Sequence, residues 1–210
     1  MAPINQKAQL KAIETRYQGF KFRSRLEARW AVFFEKMGLG WKYEIEGYEL
    51  PGPWYFLPTS EQNKDLRYLP DFFIPAWDCW VEVKAGAATA SEMMKCAKLS
   101  KEAGKRVLLI IGSPTRTNSL ETYQVLSFMP LPKPLGNQVT GELRFAQATD
   151  ETSRTLLFLE NFHCTPGGAI ALEPLSTRRL GYLQLGTAAT AVCAAMELAQ
   201  QARFEYGETP

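Results

Sequence analysis

The feature that most restricts the fold of this 210-residue chain is a continuous apolar run, RVLLIIG, at residues 106–112. Such a run is typical of a strand that is buried on both faces of a sheet. Helical spacing predicts a helix directly before it, from about residue 89 or 91 to residue 103, and Gly104 ends that helix. The residues before the helix, 79–84, read as another strand. Strand, crossover helix and strand make a parallel βαβ unit, so we expect an α/β fold.

An antiparallel hairpin is predicted to lead into this unit. Two short runs rich in β-branched and aromatic residues are separated by a break of four residues, 75–78, which contains a proline and an aspartate. If that break forms the loop, Ile74 pairs with Cys79. Counting back along both strands then places Asp71 directly opposite Glu82.

In this register the carboxylates of Asp71 and Glu82 are neighbours on one face, and Lys84 points the same way. Like charges directly opposite each other destabilise a sheet. A hard divalent cation such as Mg²⁺ would offset the repulsion, because it binds oxygen ligands and needs only one or two carboxylates. The alternative is a solvated face on which Lys84 neutralises the two acids. A loop longer or shorter by one residue would move Glu82 to the other face.

The strongest helix signal in the chain begins after Ser24. Apolar residues recur on one helical face from Leu26 to Met37, and Gly38 follows as the terminating residue. Glu27 lies three residues after Ser24, and Ser-x-x-Glu is a capping box, in which the glutamate returns to the first turn. Glu27 also lies at the edge of the apolar stripe, from where it could reach a site beside the sheet. Both roles are open from the helix alone.

Positive charge is concentrated near the start of the chain. The first 36 residues carry eight Lys or Arg and three Glu, although the net charge of the whole chain is only +2. This excess favours an anionic partner, and a solvated basic face is the alternative. The lysines along one face of the helix at 89–103 likewise have two explanations, contact with phosphate groups or a solvent-exposed face. Residues 6–17 also form an amphipathic helix candidate.

The remaining composition points to an ordinary globular protein. The four cysteines are scattered without zinc or redox spacing, so we expect reduced thiols. We find no signal peptide and no apolar run of membrane-spanning length, and therefore expect a cytoplasmic protein without membrane contact. The chain has a single histidine, so a mechanism without a histidine base suits it better.

Prolines 130, 132 and 134 predict a stiff linker at the edge of the core. We accordingly divide the chain into a core, residues 1–129, and a C-terminal extension of unknown role, residues 130–210. The extension is predicted to contain short strands and a terminal helix. These are expected at about 142–148, 155–161, 182–185 and, for the Ala-rich helix, 187–206.

The elements that carry charged groups follow a recognisable order: Glu27 on the first helix, Pro70-Asp71 on a strand, and Glu82-Val83-Lys84 on the next. This order resembles the PD-(D/E)XK nuclease superfamily, over roughly residues 20–112. The resemblance implies a restriction-endonuclease-like core, a small mixed β-sheet flanked by helices. Residues 22–31 also resemble the opening helix of transposon end-cleaving and phage junction-resolving endonucleases. Unlike some branches of the superfamily, the chain has no glutamine in residues 89–103.

The resemblance implies a Mg²⁺-dependent deoxyribonuclease, with Mn²⁺ as the other candidate ion. Asp71, Glu82 and the backbone carbonyl of Val83 would hold the metal, and Glu27 would complete its coordination directly, through water, or at a second ion. Lys84 would orient the attacking water or stabilise the developing anion. The residues expected to grip the nucleic-acid backbone are Arg23, Arg25, Lys95 and Lys98.

The expected partner is DNA, with RNA left open. The resemblance to the superfamily suggests phage, mobile-element or recombination intermediates as substrates. A homodimer is also suggested, because many relatives cut two strands. The alternative function is a catalytically inactive nucleic-acid-binding module on a nuclease fold.

Overall fold

The computed structural model describes residues 12–55, 57–117, 120–128, 143–149, 155–161, 170–171 and 189–204. Its helices are α1 (Arg25–Lys36), α2 (Ala90–Ala103) and α3 (Ala189–Gln201). None of the helices within these ranges is long and apolar enough to cross a membrane.

Most strands belong to one mixed β-sheet. In the part of the chain that the structure describes, eight strands join it in the order β12-β11-β10-β9-β8-β7-β6-β3, while β1 with β2 and β4 with β5 form separate hairpins. The strands are β1 (Thr15–Tyr17), β2 (Phe20–Phe22), β3 (Lys42–Tyr43), β4 (Tyr48–Leu50), β5 (Leu66–Tyr68), β6 (Phe72–Ile74), β7 (Cys79–Lys84), β8 (Arg106–Thr117), β9 (Leu120–Phe128), β10 (Leu143–Thr149), β11 (Thr155–Asn161) and β12 (Ile170–Ala171).

The predicted hairpin and βαβ unit are confirmed. Strands β6 and β7 are antiparallel, and Ile74 pairs with Cys79 across a loop that contains a 3₁₀ turn, Pro75–Trp77. Strand β7 runs parallel to β8, and α2 is the crossover helix between them. The central residues of β8 are fully buried, as its unbroken apolar sequence predicts. The fold is therefore mixed α/β.

Helices cover both faces of the sheet. Helices α1 and α3 pack on one face, where Trp30, Phe72 and Leu108 belong to the same apolar core. Helix α2 and the β4–β5 hairpin cover the other face, where Leu99 and Leu109 are buried in a second core. Because β7 and β8 contribute to both cores, a side chain on either face of the sheet can be withdrawn from water.

The two helices next to the hairpin begin as their sequences predict. Ser24 is the N-cap of α1, and its hydroxyl accepts a hydrogen bond from the Glu27 amide. Thr89 caps α2 in a complete capping box with Glu92. Gly104, with φ of +63°, then ends α2 in the left-handed conformation that glycine adopts without strain.

The amphipathic helix predicted for residues 6–17 is wrong where the structure can be compared with it, because Thr15–Tyr17 is a strand that pairs with Phe20–Phe22. The turn between them, Gln18-Gly19, has positive φ at both residues, as a tight hairpin turn requires. Pairing with the next segment overrides the helical periodicity there. Residues 1–11, the proline linker at 130–134 and the strand expected at 182–185 lie outside the described residues.

The C-terminal strands continue the main sheet. Strand β10 pairs with β9 and with β11, and β11 pairs with β12. The expected strands at about 142–148 and 155–161 are thus present. The described part of the C-terminal helix, α3, packs against α1 and includes Met196, which is buried in the first core.

Candidate active site

Two buried carboxylates lie side by side where the β6–β7 hairpin opens. The observed register, continued by one residue beyond the Phe72–Val81 pair, places Asp71 opposite Glu82. Both residues are buried, Asp71 at 2% and Glu82 at 4% exposure. The alternative of a solvated acidic face is therefore wrong. Ionised carboxylates are seldom buried unless cations, hydrogen bonds or a metal compensate them.

Asp71 has a partner on each of its oxygens. Its Oδ1 accepts a hydrogen bond from Arg23 Nη2 at 2.7 Å, and its Oδ2 accepts one from the Val83 amide at 2.8 Å. Arg23 also pairs with Glu44, at 2.5 Å between Nε and Oε1. The guanidinium group therefore supplies positive charge beside Asp71 while about half of the Arg23 side chain, 54%, remains exposed.

Glu82 is only partly satisfied. Its Oε1 accepts a hydrogen bond from Lys84 Nζ at 2.5 Å. Its Oε2 is buried and has no partner at hydrogen-bond distance and angle within the described residues, although the Tyr68 hydroxyl faces the same carboxylate. A neutral polar group that is buried without a partner costs about 1–3 kcal/mol of stability, and a charged group costs more. This oxygen therefore has acceptor capacity that no donor at hydrogen-bond distance uses within the described residues.

Glu27 contacts the start of its own helix, and it also lies near Asp71. Its Oε1 accepts a hydrogen bond from the Ser24 hydroxyl at 2.6 Å, and its Oε2 accepts one from the Arg23 amide at 3.1 Å. The Glu27 carboxylate thus binds a backbone amide at the start of the helix. That amide belongs to Arg23, one residue before the Ser24 amide that a standard capping box would use. The same Arg23 whose amide contacts Glu27 holds Asp71 through its side chain. Glu27 is also close enough to Asp71 for its negative charge to raise the pKa of that residue.

The electrostatics of the cluster reflect this crowding. Burial, followed by the negative charges of Glu82 and Glu27, raises the pKa of Asp71 well above its usual value, against the opposing effects of Lys84 and the Val83 amide. Burial alone would lower the pKa of Lys84, but the adjacent Glu82 and the nearby Asp71 raise it overall. Lys84 is therefore charged at neutral pH, and Asp71 is held in an environment that disfavours a third negative charge.

Two tyrosines belong to the cluster and were not predicted from the sequence. The Tyr43 hydroxyl donates a hydrogen bond to Glu27 Oε2 at 2.6 Å and accepts one from the Arg23 amide at 3.0 Å. The Tyr68 hydroxyl lies 4.0 Å from the Cys96 sulfur. Burial, then the charges of Cys96 and Glu82, and then a hydrogen-bonding interaction with the Glu82 carboxylate raise the pKa of Tyr68 well above its usual value, so the Tyr68 hydroxyl also faces Glu82. The alternating pattern around Tyr43 marks it as inward-facing, but only the packing of β3 against α1 shows which group it meets.

The expected nucleic-acid contacts lie in different surroundings. Lys98 Nζ donates to the Pro51 carbonyl and lies 4.5 Å from the centre of the Trp54 ring, so it stabilises the loop before β5. Lys95 is half-buried beside Glu92. Arg25 lies on the side of α1 away from Glu27, two residues along the helix. Their contact with nucleic acid stays a prediction.

The residues present fit a divalent cation with few protein ligands. Within the described residues, no three His, Cys, Asp or Glu side chains are grouped as a metal site. Mg²⁺ needs only one or two carboxylates and keeps several waters, and the unpaired Oε2 of Glu82 beside Asp71 meets that need. The Val83 amide points to Asp71, and both backbone polar groups of a strand residue face the same edge. The Val83 carbonyl therefore faces this edge as well.

Removing the Tyr43 hydroxyl should destabilise the protein. We expect Tyr43→Phe to lower the free energy of unfolding by about 1–3 kcal/mol, because a buried carboxylate oxygen loses its closest donor. Chemical denaturation would measure this. The matched control is Tyr48→Phe, whose hydroxyl bonds the exposed Glu46 at 3.0 Å, and about 0.5 kcal/mol or less is expected there. Equal effects in the two variants would contradict a structural role for the Tyr43–Glu27 bond.

Comparison with protein-family models, with curated proteins and with solved structures finds no match to this chain. The chemistry of the site itself therefore has to carry any functional conclusion.

Proposed function

We propose that this protein is a Mg²⁺- or Mn²⁺-dependent nuclease that hydrolyses phosphodiester bonds of DNA at the cluster of Glu27, Asp71, Glu82 and Lys84. The observation that carries the proposal is the buried, unpaired Oε2 of Glu82 next to a second buried carboxylate. A hairpin that served stability alone would gain by replacing two repelling buried acids with apolar residues. Two buried acids beside a lysine are expected of a site that binds a cation and an anionic substrate.

The side chains have distinct roles in this proposal. Asp71 and Glu82, with the Val83 carbonyl, hold the cation, and Glu27 binds one of its waters or a second ion. The bound cation supplies Lewis-acid activation of the phosphate and a more acidic water. Lys84 Nζ, already 2.5 Å from Glu82, orients the attacking water or stabilises charge that develops on the phosphate oxygens. Because these groups suffice, no histidine is required.

Arg23 has a role that depends on whether the cation is bound. Its guanidinium occupies Asp71 Oδ1 at 2.7 Å, an oxygen that the cation would use. With about half of its side chain exposed, Arg23 can turn outward when the cation binds and contact a substrate phosphate, for which its planar fork of donors is suited. This agrees with its predicted contact to the nucleic-acid backbone.

The arrangement of elements supports a restriction-endonuclease-like core as part of the same proposal. Helix α1 precedes the β6–β7 hairpin, and α2 crosses over to the buried central strand β8. The acids of such a core lie where the hairpin opens, as Asp71 and Glu82 do. Phage, mobile-element or recombination intermediates are the proposed substrates, and a homodimer would allow two strands to be cut.

A second function, nucleic-acid binding without cleavage, is favoured by a different observation. Both oxygens of Asp71 already have partners, and Lys84 is paired with Glu82. The cluster could therefore be a stable ion-pair network on a nuclease fold that has lost activity. In that case the basic N-terminal region would hold the nucleic acid, with binding that weakens as salt increases.

A panel of substrates separates the two functions. The full chain should be incubated with duplex, single-stranded, flapped and four-way DNA and with single-stranded RNA, in Mg²⁺, in Mn²⁺ and in EDTA. We expect metal-dependent cleavage of at least one DNA substrate and none in EDTA. Salt-sensitive binding without cleavage of any substrate would favour the inactive module.

A further inference from the structure

A second cluster of charged groups lies on the other side of α1. A cavity of about 560 Å³ between the first turns of α1 and the end of α3 is lined by Arg25, Arg29 and Arg203, together with Gln200 and Gln201. Its size is within the range of about 300–1,000 Å³ that is typical of small-ligand pockets. Side chains two residues apart on a helix point in nearly opposite directions, so this pocket does not include Glu27 or the acids of the hairpin.

Two of the three arginines of this pocket have an unsatisfied guanidinium nitrogen in the part of the chain that the structure describes. The Nε atoms of Arg25 and Arg29 are buried and have no hydrogen-bond partner in the described structure. Neither side chain forms an ion pair with a carboxylate among the described residues, whereas Arg23 on the same segment has two such pairs. Unpaired buried donors on a charged group cost free energy, and a bound anion would satisfy them.

Like charges are also placed close together. Burial, and then the positive charge of Arg25, lower the pKa of Arg29. Since an arginine stays protonated in proteins, it cannot escape this repulsion by losing its proton. Arg203, which follows α3, adds a third guanidinium at the rim and is exposed. No acidic side chain is among the described residues that line the cavity.

We propose that this pocket between α1 and α3 binds a phosphate group. Guanidinium groups pair with phosphate through two parallel N–H bonds, and three of them converge on one cavity here. The amides of Gln200 and Gln201 add neutral donors beside them. The phosphate is carried either by a nucleic-acid strand or by a small molecule such as a nucleotide. The pocket does not depend on the hairpin acids, so its binding can be tested whether or not the protein is a nuclease.

The test uses the full chain in EDTA at constant ionic strength, so that no divalent cation at the hairpin contributes. Sodium phosphate is titrated by calorimetry, and a fluorescein-labelled single strand of DNA by fluorescence anisotropy. The variants are Arg29→Gln and Arg203→Gln. Arg203 is exposed, so its replacement preserves the fold even if Arg29→Gln does not. The matched control is Arg67→Gln, which removes one charge from a side chain that is 92% exposed and 3.7 Å from Glu49.

We expect each pocket variant to weaken phosphate binding about tenfold or more, the effect of one lost charged hydrogen bond, while Arg67→Gln stays close to the unaltered protein. A parallel loss of strand binding identifies nucleic acid as the source of the phosphate. Loss of phosphate binding alone identifies a small phosphate-bearing molecule. The proposal is overturned if the unaltered chain does not bind phosphate, or if Arg203→Gln binds it as the control does. Weaker strand binding without any phosphate binding also overturns it, because that result describes a general basic surface.

Discussion

Replacing Lys84 by alanine should reduce metal-dependent cleavage by about a hundredfold or more, the usual effect of removing one group that stabilises charge in the transition state. Lys84 Nζ is the one cation in contact with Glu82 among the described residues. Its ammonium is also near Asp71, whose pKa it lowers. Without it, developing negative charge on the phosphate would meet three carboxylates and no fixed lysine. Single-turnover cleavage in saturating Mg²⁺ would measure the loss.

Asp71→Ala should have an effect at least as large, because it removes a proposed metal ligand. The two variants differ in a way that can be measured: raising the Mg²⁺ concentration should partly restore Asp71→Ala, whose defect is in metal binding, and should not restore Lys84→Ala. Matched controls are Lys64→Ala, a side chain 65% exposed, and Asp65→Ala, also exposed. Undiminished cleavage in both Lys84→Ala and Asp71→Ala would show that this cluster is not the active site.

The backbone of the site could be predicted from the sequence because its signals are local. Alternation and a four-residue loop fix the register of Ile74 with Cys79, and this register sets Asp71 beside Glu82. The serine cap and the apolar stripe similarly fix the start and the inner face of α1. Each of these signals acts over a few residues, so no knowledge of the packing is required.

The partners of the acids could not be predicted, because they depend on packing between distant segments. Arg23 and Asp71 are separated by 48 residues, and Tyr43 meets Glu27 only because β3 packs beside the start of α1. The sequence was also compatible with a solvent-exposed acidic face. The alternation of polar and apolar residues alone does not show that α2 and the β4–β5 hairpin cover that side of the sheet. Arg203 and Arg29 line the same cavity although most of the chain separates them in sequence. No local sequence pattern predicts that they meet.

Replacing Glu82 by glutamine should stabilise the metal-free protein while abolishing its response to Mg²⁺. Three carboxylates, Glu27, Asp71 and Glu82, face two cations, Arg23 and Lys84, and Arg23 is also paired with Glu44, so with all groups ionised the cluster has an excess negative charge. Glutamine keeps an acceptor for Lys84 and replaces the unpaired Oε2 by a donor that can face Asp71. We expect a gain of about 1–3 kcal/mol in the free energy of unfolding at pH 8, the usual cost of an unsatisfied buried group.

The response to metal should depend on pH through Asp71. Its pKa is raised in the folded, metal-free protein, so its contribution to stability is full below its unfolded pKa and is lost as the pH rises through the folded value. Mg²⁺ requires the ionised carboxylate and should therefore stabilise the protein more at pH 8 than at pH 5. At one hundred times Kd the gain is about 2.7 kcal/mol, or roughly 5–10 °C in Tm for a chain of this length.

Thermal unfolding with and without Mg²⁺, at pH 5 and pH 8, would measure both effects. Glu49→Gln is the matched control, since Glu49 is 69% exposed and lies 3.7 Å from Arg67; it should keep the Mg²⁺ response and change Tm little. A Glu82→Gln variant that is less stable than the unaltered protein in EDTA would show that the ion pair with Lys84 outweighs the repulsion. A variant that retains the Mg²⁺ response would place the cation elsewhere. Gained stability together with a lost metal response is the result expected of a site in which two buried acids bind a cation at the cost of stability.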